Sequence, residues 1–478
     1  MAGIGFELRQ LGERDNLFAP IASLGHAAVI AAGPWLFTII ALALISLYTE
    51  SLLGPNILAS FRVLLIYAFS LSLVVTAPIV SVATRLVGDA IYLEKFERIR
   101  PVFVAALAMS GVTTAIMAAS LYTLFFDLPI ELVVAGGVCC VLVSEIWASL
   151  AFCGAVRDYK SITAGFLVGL SVAVVGTVLA ANSGMGVCGM VWGANTGFAV
   201  IFFWLTSRVL ATFPHPVPQL LPALINLTGA IGQYWKLALG ALMSAIGIWI
   251  DKWIFWMSPV GQQVDIGLVH APLYDSAMFI AYLAVIPSLS LFVSHLETSF
   301  FDKYRAYYNS IAGHATLRQI ERQSRELERE TMRTLTQVLL VQVTLCLIVA
   351  LAAPLIVAAT GLQYQQAGIL RSGVLGALFQ FMFLGCTSFL LFFDRHVEYL
   401  ALQTLFFIMQ VVLTLASLYL GPAYYGFGYL LSCFLCGVVS FVALDRTMRN
   451  LSFLTFVVST SNRRATRPLQ QESNRDNR

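Results

Sequence analysis

Twelve mostly apolar stretches, each at least 18 residues long and set apart by short charged clusters, constrain this chain more than any other feature of it. Lipid offers no hydrogen-bond partner to backbone N–H and C=O groups, so a segment entering the hydrocarbon core must satisfy them internally, and a helix of about 20 residues is long enough to cross. The stretches lie near 21–48, 57–84, 102–125, 130–152, 162–181, 186–206, 236–256, 273–294, 335–359, 372–393, 398–420 and 427–444. Too little charge remains to coat a soluble surface: 11% of the 478 residues are charged and 59% are hydrophobic, whereas a soluble domain carries about 25% charge. Soluble, disordered and fibrous folds are excluded. The expected class is an all-α polytopic membrane protein with twelve transmembrane helices.

Basic residues stay on the cytoplasmic side of a bacterial inner membrane. With the N-terminus inside, twelve spans put 25 of the 28 Lys and Arg on that side and leave Arg62, Lys252 and Arg371 outside. Both termini are therefore expected in the cytoplasm. Residues 1–20 carry Glu7, Glu13 and Asp15, and Ile4, Leu8 and Leu11 recur at helical spacing. This segment reads as a short helix on the inner membrane surface or a solvated start, and not as a cleaved signal peptide.

The run Phe213-Pro214-His215-Pro216-Val217-Pro218, followed by Pro222, is expected to be a non-helical, semi-rigid spacer. It divides the chain into a first lobe at 21–212 with spans one to six, a linker at 213–235, a second lobe at 236–445 with spans seven to twelve, and a basic tail at 446–478. Six is even, so both halves enter the membrane in the same direction, as in parallel-repeat transporters. Pro78 with Ser81 in span two and Pro287 with Ser290 in span eight suggest matching kinks, or a coincidence of short sequence.

No soluble chemistry is visible. GxxxxGK[ST], HExxH, GxSxG and EF-hand patterns are absent, so neither a nucleotide motor nor a hydrolase is expected. The net charge of +3 gives no argument for nucleic acid. Eight cysteines are scattered through apolar segments, and Cys433-x-x-Cys436 lacks a second pair or a His cluster, so no metal or other cofactor is expected.

Ionisable groups inside spans are costly and mark candidate transport paths. They are Glu145, about two thirds through span four; Asp251 and Lys252, in the outer part of span seven; and Asp275, near the outer end of span eight. Lys252 and Asp275 could instead snorkel to the interface, and Glu145 could make an interhelical hydrogen bond. Successive helix positions point about 100° apart, so Asp251 and Lys252 are expected to serve different neighbours. Trp249, Trp253 and Trp256 fall at i, i+4 and i+7, a vertical stripe that either stacks on sugars or anchors the helix end, with Trp256 expected at the depth of the aromatic belt.

The longest inner segment contains an expected amphipathic helix at about 313–334, with Leu317, Ile320, Leu327 and Leu335 on one side and Arg318, Arg322, Arg325 and Arg329 on the other. Pairs such as Glu321 with Arg325 support it. It rests on anionic lipid, docks a cytoplasmic partner, or is merely solvated.

Several stretches together resemble a known family: Met1-Ala2-Gly3-Ile4-Gly5-Phe6-Glu7-Leu8-Arg9, Gly33-Pro34-Trp35, Trp249-Ile250-Asp251-Lys252-Trp253, Glu297-Thr298-Ser299-Phe300-Phe301, Gly313-His314-Ala315 and Phe393-Asp394-Arg395. The chain is similar from residue 1 to about 455 to the PelG family, inner-membrane exporter subunits of an exopolysaccharide system within the multidrug/oligosaccharidyl-lipid/polysaccharide flippase superfamily. The resemblance implies two six-helix lobes around a central cavity. It also implies a polysaccharide substrate, a cytoplasmic glycosyltransferase partner and accessory inner-membrane proteins, one of which senses cyclic di-GMP. The expected activity is transport of an amino-sugar-containing polysaccharide past Glu145, Asp251, Lys252, Asp275, Trp249 and Trp253. The alternatives are a cation-coupled drug exporter or a lipid-linked oligosaccharide flippase. A membrane-embedded glycosyltransferase is disfavoured, because the longest outer loop, around 257–272, has Asp265 as its only acid.

Overall fold

The computed structural model describes residues 37–50, 52–156, 159–216 and 219–458. The surface helix expected within 1–20, the first part of span one and the tail beyond 458 lie outside the described residues. Eleven helices are long and apolar enough to cross a membrane, and they coincide with the expected spans two to twelve. In order they are Pro55–Tyr92, Phe96–Phe125, Ile130–Gly154, Lys160–Asn182, Gly186–Thr212, Trp235–Trp256, Pro272–Ala312, Leu317–Ala359, Gln366–Phe392, His396–Leu420 and Pro422–Arg449. The helix Phe37–Glu50 is the described part of span one. The two strands Gln262–Gln263 and Val269–His270 pair antiparallel in the loop between spans seven and eight.

Contacts between spans fall into two sets, two to six and seven to twelve, and span two meets span seven where the sets join. Small residues let the helices of each lobe approach closely, as bundles in lipid require. Gly169 and Gly176 of span five face Gly197 and Gly193 of span six: a Cβ at Gly169 would stand 2.8 Å from Gly197 O, and one at Gly176 would stand 2.9 Å from Gly193 O. In the second lobe Gly240 and Gly247 of span seven receive Tyr399 and Phe406 of span eleven, both pairs seven residues apart on one helix face.

The structure bears on three expectations. The described residues of the proline run, 213–216, are non-helical as expected, but the rest of the linker is not, because Leu220–Gln233 is helical. Pro222 lies in its first turn, where no intrahelical N–H partner is needed. Ala230 of this helix is buried with Val82 of span two and Ala238 of span seven, which places it beside the joint of the two lobes. The two prolines sit differently: Pro78 lies inside the continuous helix Pro55–Tyr92, whereas Pro287 lies in the first turn of Ile286–His295, after a break at residues 284–285. Finally, the amphipathic segment is no separate helix but the first part of Leu317–Ala359, which runs on into span nine. Thr316 and Gln319 form its capping box, with the Thr316 N–H donating to Gln319 Oε1 at 3.0 Å.

Candidate functional site

Buried charge in the second lobe gathers on span seven. Asp251 is 0% exposed and Lys252 is 7% exposed. Lys252 does not snorkel outward, and the pair does not serve separate neighbours: its Nζ stands 2.9 Å from Asp251 Oδ1 and 3.2 Å from Oδ2. The flexible four-carbon stem overcomes the 100° step between adjacent positions and folds back over the helix, so that Nζ also donates to Ile248 O at 3.0 Å. Span eight completes the arrangement, with Tyr282 Oη accepting from Nζ at 2.9 Å and Tyr274 donating to Asp251 Oδ2 at 2.8 Å. The Trp249 ring lies 5.6 Å and the Tyr282 ring 4.7 Å from the ammonium, within cation–π range.

Trp256 does not face outward as a lipid anchor. It is 2% exposed, its Nε1 donates to Asp275 Oδ2 at 2.8 Å, and its ring stacks on Tyr67 of the first lobe. Asp275 is likewise held inside instead of snorkelling, since the same oxygen accepts from Ala271 N–H at 3.0 Å at the start of span eight. Tyr67 donates to Val269 O at 2.9 Å, in the short hairpin of the loop. His270 beside it is half-buried, and that burial pushes its imidazole below the usual range. The three tryptophans thus meet different surroundings: Trp256 closes a contact between lobes, Trp249 lies against Lys252, and Trp253 is half-buried against the core.

Glu145 belongs to the first lobe and stands apart from this cluster. It is 8% exposed, and its carboxylate occupies the space left by Gly111 of span three, where a Cβ would overlap Oε1. Its Oε2 meets no hydrogen-bond donor among the described residues. A buried acid oxygen without a donor is the kind of group that a ligand or a moving helix can satisfy.

At the opposite end of the joint a charged contact replaces the aromatic one. Arg85 of span two reaches Asp394, in the turn between spans ten and eleven, with Nη1–Oδ1 at 2.7 Å and Nη2–Oδ2 at 3.2 Å. Asp89 lies 3.4 Å from Arg85 Nε, one helical turn on. Asp394 has φ +60°, which fixes the acid in a left-handed turn. Nothing in the spacing of the sequence singled out Arg85, which entered only the count of inner charges. Asp394 stood within Phe393-Asp394-Arg395, the single signal that could have drawn attention to it.

On the helix Leu317–Ala359, Arg318, Arg322, Arg325 and Arg329 are all exposed, while Ile320, Ser324, Leu327 and Thr331 are buried on the other side. Arg322 pairs with Glu326 at 3.3 Å and Arg325 with Glu321 at 3.7 Å. Glu326 also takes Lys303, at 2.9 Å, which ties this helix to the preceding one.

A family model, PelG, described as "Putative exopolysaccharide Exporter (EPS-E)", matches residues 1–456. No curated protein matches the chain. Among solved structures, a multidrug resistance MATE family transporter of the MOP superfamily is similar in its inward-facing conformation, with TM-score 0.61, 16% identity and coverage of 86% of this chain and 95% of that one. A multidrug resistance MATE family transporter in an outward-facing conformation gives 0.59 at 14% identity, over 89% and 96%. A MOP superfamily transporter from Pyrococcus furiosus gives 0.61 at 15% identity, over 94% and 97%. These likenesses show the fold, an all-α bundle of twelve transmembrane helices in two lobes.

Proposed function

The chain belongs to the PelG family of exopolysaccharide exporters, and from that premise we propose that it carries an amino-sugar-containing polysaccharide from cytoplasm to periplasm, accepting it from a cytoplasmic glycosyltransferase. It sits in the bacterial inner membrane with both termini and the exposed Arg318, Arg322, Arg325 and Arg329 stripe in the cytoplasm, where that stripe docks the partner. It acts as a carrier and not as an enzyme.

One observation carries the reading. The two lobes touch through a separable contact at each end of their joint, Tyr67 with Trp256 and Val269 at one, and Arg85 with Asp394 at the other. Alternate parting of two such seams exposes a space between the lobes to one side and then the other. The path runs past Glu145 in the first lobe and past Trp249 and Trp253 in the second, with the buried Asp251 and Lys252 supporting Trp249 from within the lobe. A carboxylate such as Glu145 attracts an ammonium on the sugar, and aromatic faces offer surfaces along which rings slide.

The test is deletion of the gene in its host, with polysaccharide measured in cytoplasm and periplasm. Intracellular polymer should accumulate and exported polymer should vanish. Undiminished export from the deletion strain would overturn the proposal.

A further inference from the structure

We propose that Lys252 is the resident cation of the second lobe: its ammonium fills the site that Asp251 would otherwise offer to a small monovalent ion, so Na+ does not bind there. The surroundings of Nζ are those of a bound cation. Asp251 Oδ1 at 2.9 Å, Asp251 Oδ2 at 3.2 Å, Ile248 O at 3.0 Å and Tyr282 Oη at 2.9 Å make an all-oxygen shell, the donor set that hard cations take. Two ring faces, of Tyr282 at 4.7 Å and Trp249 at 5.6 Å, complete it. An ammonium has three N–H donors and no acceptor. Here one donor goes to the carboxylate, one to the carbonyl and one to the phenol, so none is left over.

The shell leaves no room for a second ion. Tyr274 holds the remaining direction of Asp251 Oδ2 at 2.8 Å, and the Phe255 ring stacks on Tyr274 with centroids 3.9 Å apart. Behind span seven, Gly247 brings the Phe406 ring so close that a Cβ would stand 2.7 Å from Cδ1. Asp251 has no exposed surface through which a solute ion could compete. A carrier driven by Na+ at this acid needs the carboxylate free in one state, whereas here a tethered charge saturates it. The inference concerns ion binding and holds whatever the cargo, so its failure is separate from failure of the export reading.

The test follows the thermal unfolding midpoint of the purified protein as NaCl is exchanged for choline chloride at constant ionic strength. Wild type should be indifferent to the exchange. Lys252→Met should become Na+-stabilised, because a vacated site with a Kd of about 10 mM favours the folded state by about 16-fold at 150 mM Na+. The response should vanish in Lys252→Met combined with Asp251→Asn. If Lys252→Met does not accumulate, Lys252→Ala supplied with propylammonium, which matches the missing stem and charge, should recover folded protein where choline does not. A wild-type midpoint that rises with Na+ and loses that rise in Asp251→Asn would overturn the proposal. So would a folded Lys252→Met indifferent to Na+, or a Lys252→Ala that propylammonium leaves unrecovered.

Discussion

The Tyr67 ring of span two stacks on the Trp256 ring of span seven across the joint between the lobes, with centroids 4.7 Å apart and planes 26° apart. The same phenol donates to Val269 O at 2.9 Å, and the same indole donates to Asp275 at 2.8 Å. One contact thus combines apolar area with two directed hydrogen bonds. Span two therefore belongs structurally to the first lobe while its aromatic ring is bound by the second.

Trp256→Ala removes the stack and leaves Asp275 without its indole donor. The cost expected for emptying a buried Trp site is about 3–5 kcal/mol, seen as a lower unfolding midpoint and reduced protein in the membrane. Tyr67→Phe keeps the ring and loses one hydrogen bond, about 1 kcal/mol. Thermal unfolding in detergent should rank the two variants in that order.

At the other end, Arg85 and Asp394 are 33% and 58% exposed in their side chains, so the pair is worth at most about 1 kcal/mol and is screened by salt. This seam should part more readily than the aromatic one. Spin labels on Tyr92→Cys and Val397→Cys, exposed residues at the same end of the two lobes, should report a longer and broader distance in Arg85→Asp. The exchange Arg85→Asp with Asp394→Arg should restore the short distance. Unchanged distances in the single variant would contradict a latch.

Glu145 and Gly111 should behave as one unit. Glu145→Gln removes the charge, and Gly111→Ala displaces the carboxylate that fills the glycine's space. Each should lower export while membrane abundance is retained, and the double variant should be no worse than the stronger single one, the non-additivity of residues in contact. Wild-type export from both would make Glu145 a packing residue.

Reversing charge together at Arg318, Arg322, Arg325 and Arg329 should reduce co-purification with the cytoplasmic glycosyltransferase without lowering membrane insertion, because their opposite face, with Ile320 and Leu327, stays buried. Co-purification at the wild-type level would assign this stripe to lipid or solvent.

The spans were legible because hydrocarbon thickness acts on every helix separately and needs no knowledge of the fold. The buried face of Ile320, Leu327 and Leu335 and the pairing of Glu321 with Arg325 were legible for a similar reason, since helical period is local. Leu317, counted on that face, is exposed at the first turn. Contacts made across the chain were not readable. Arg85 and Asp394 are 309 positions apart, and no periodicity connects them. Trp256 read as an outward anchor because its depth could be counted and its partner Tyr67 could not. For Lys252 the direction of the Cα–Cβ bond was a poor guide, because four rotatable methylenes decide where the charge ends.

The proposal that the lobes part to pass the polymer is tested most directly by tying them together. Arg85→Cys with Asp394→Cys, joined by a short cleavable bis-methanethiosulfonate crosslinker in export-competent cells, should stop polysaccharide export, and a reductant should restore it, with neither single-cysteine variant affected. Export that continues at the uncrosslinked rate while the crosslink is complete would contradict passage between the lobes.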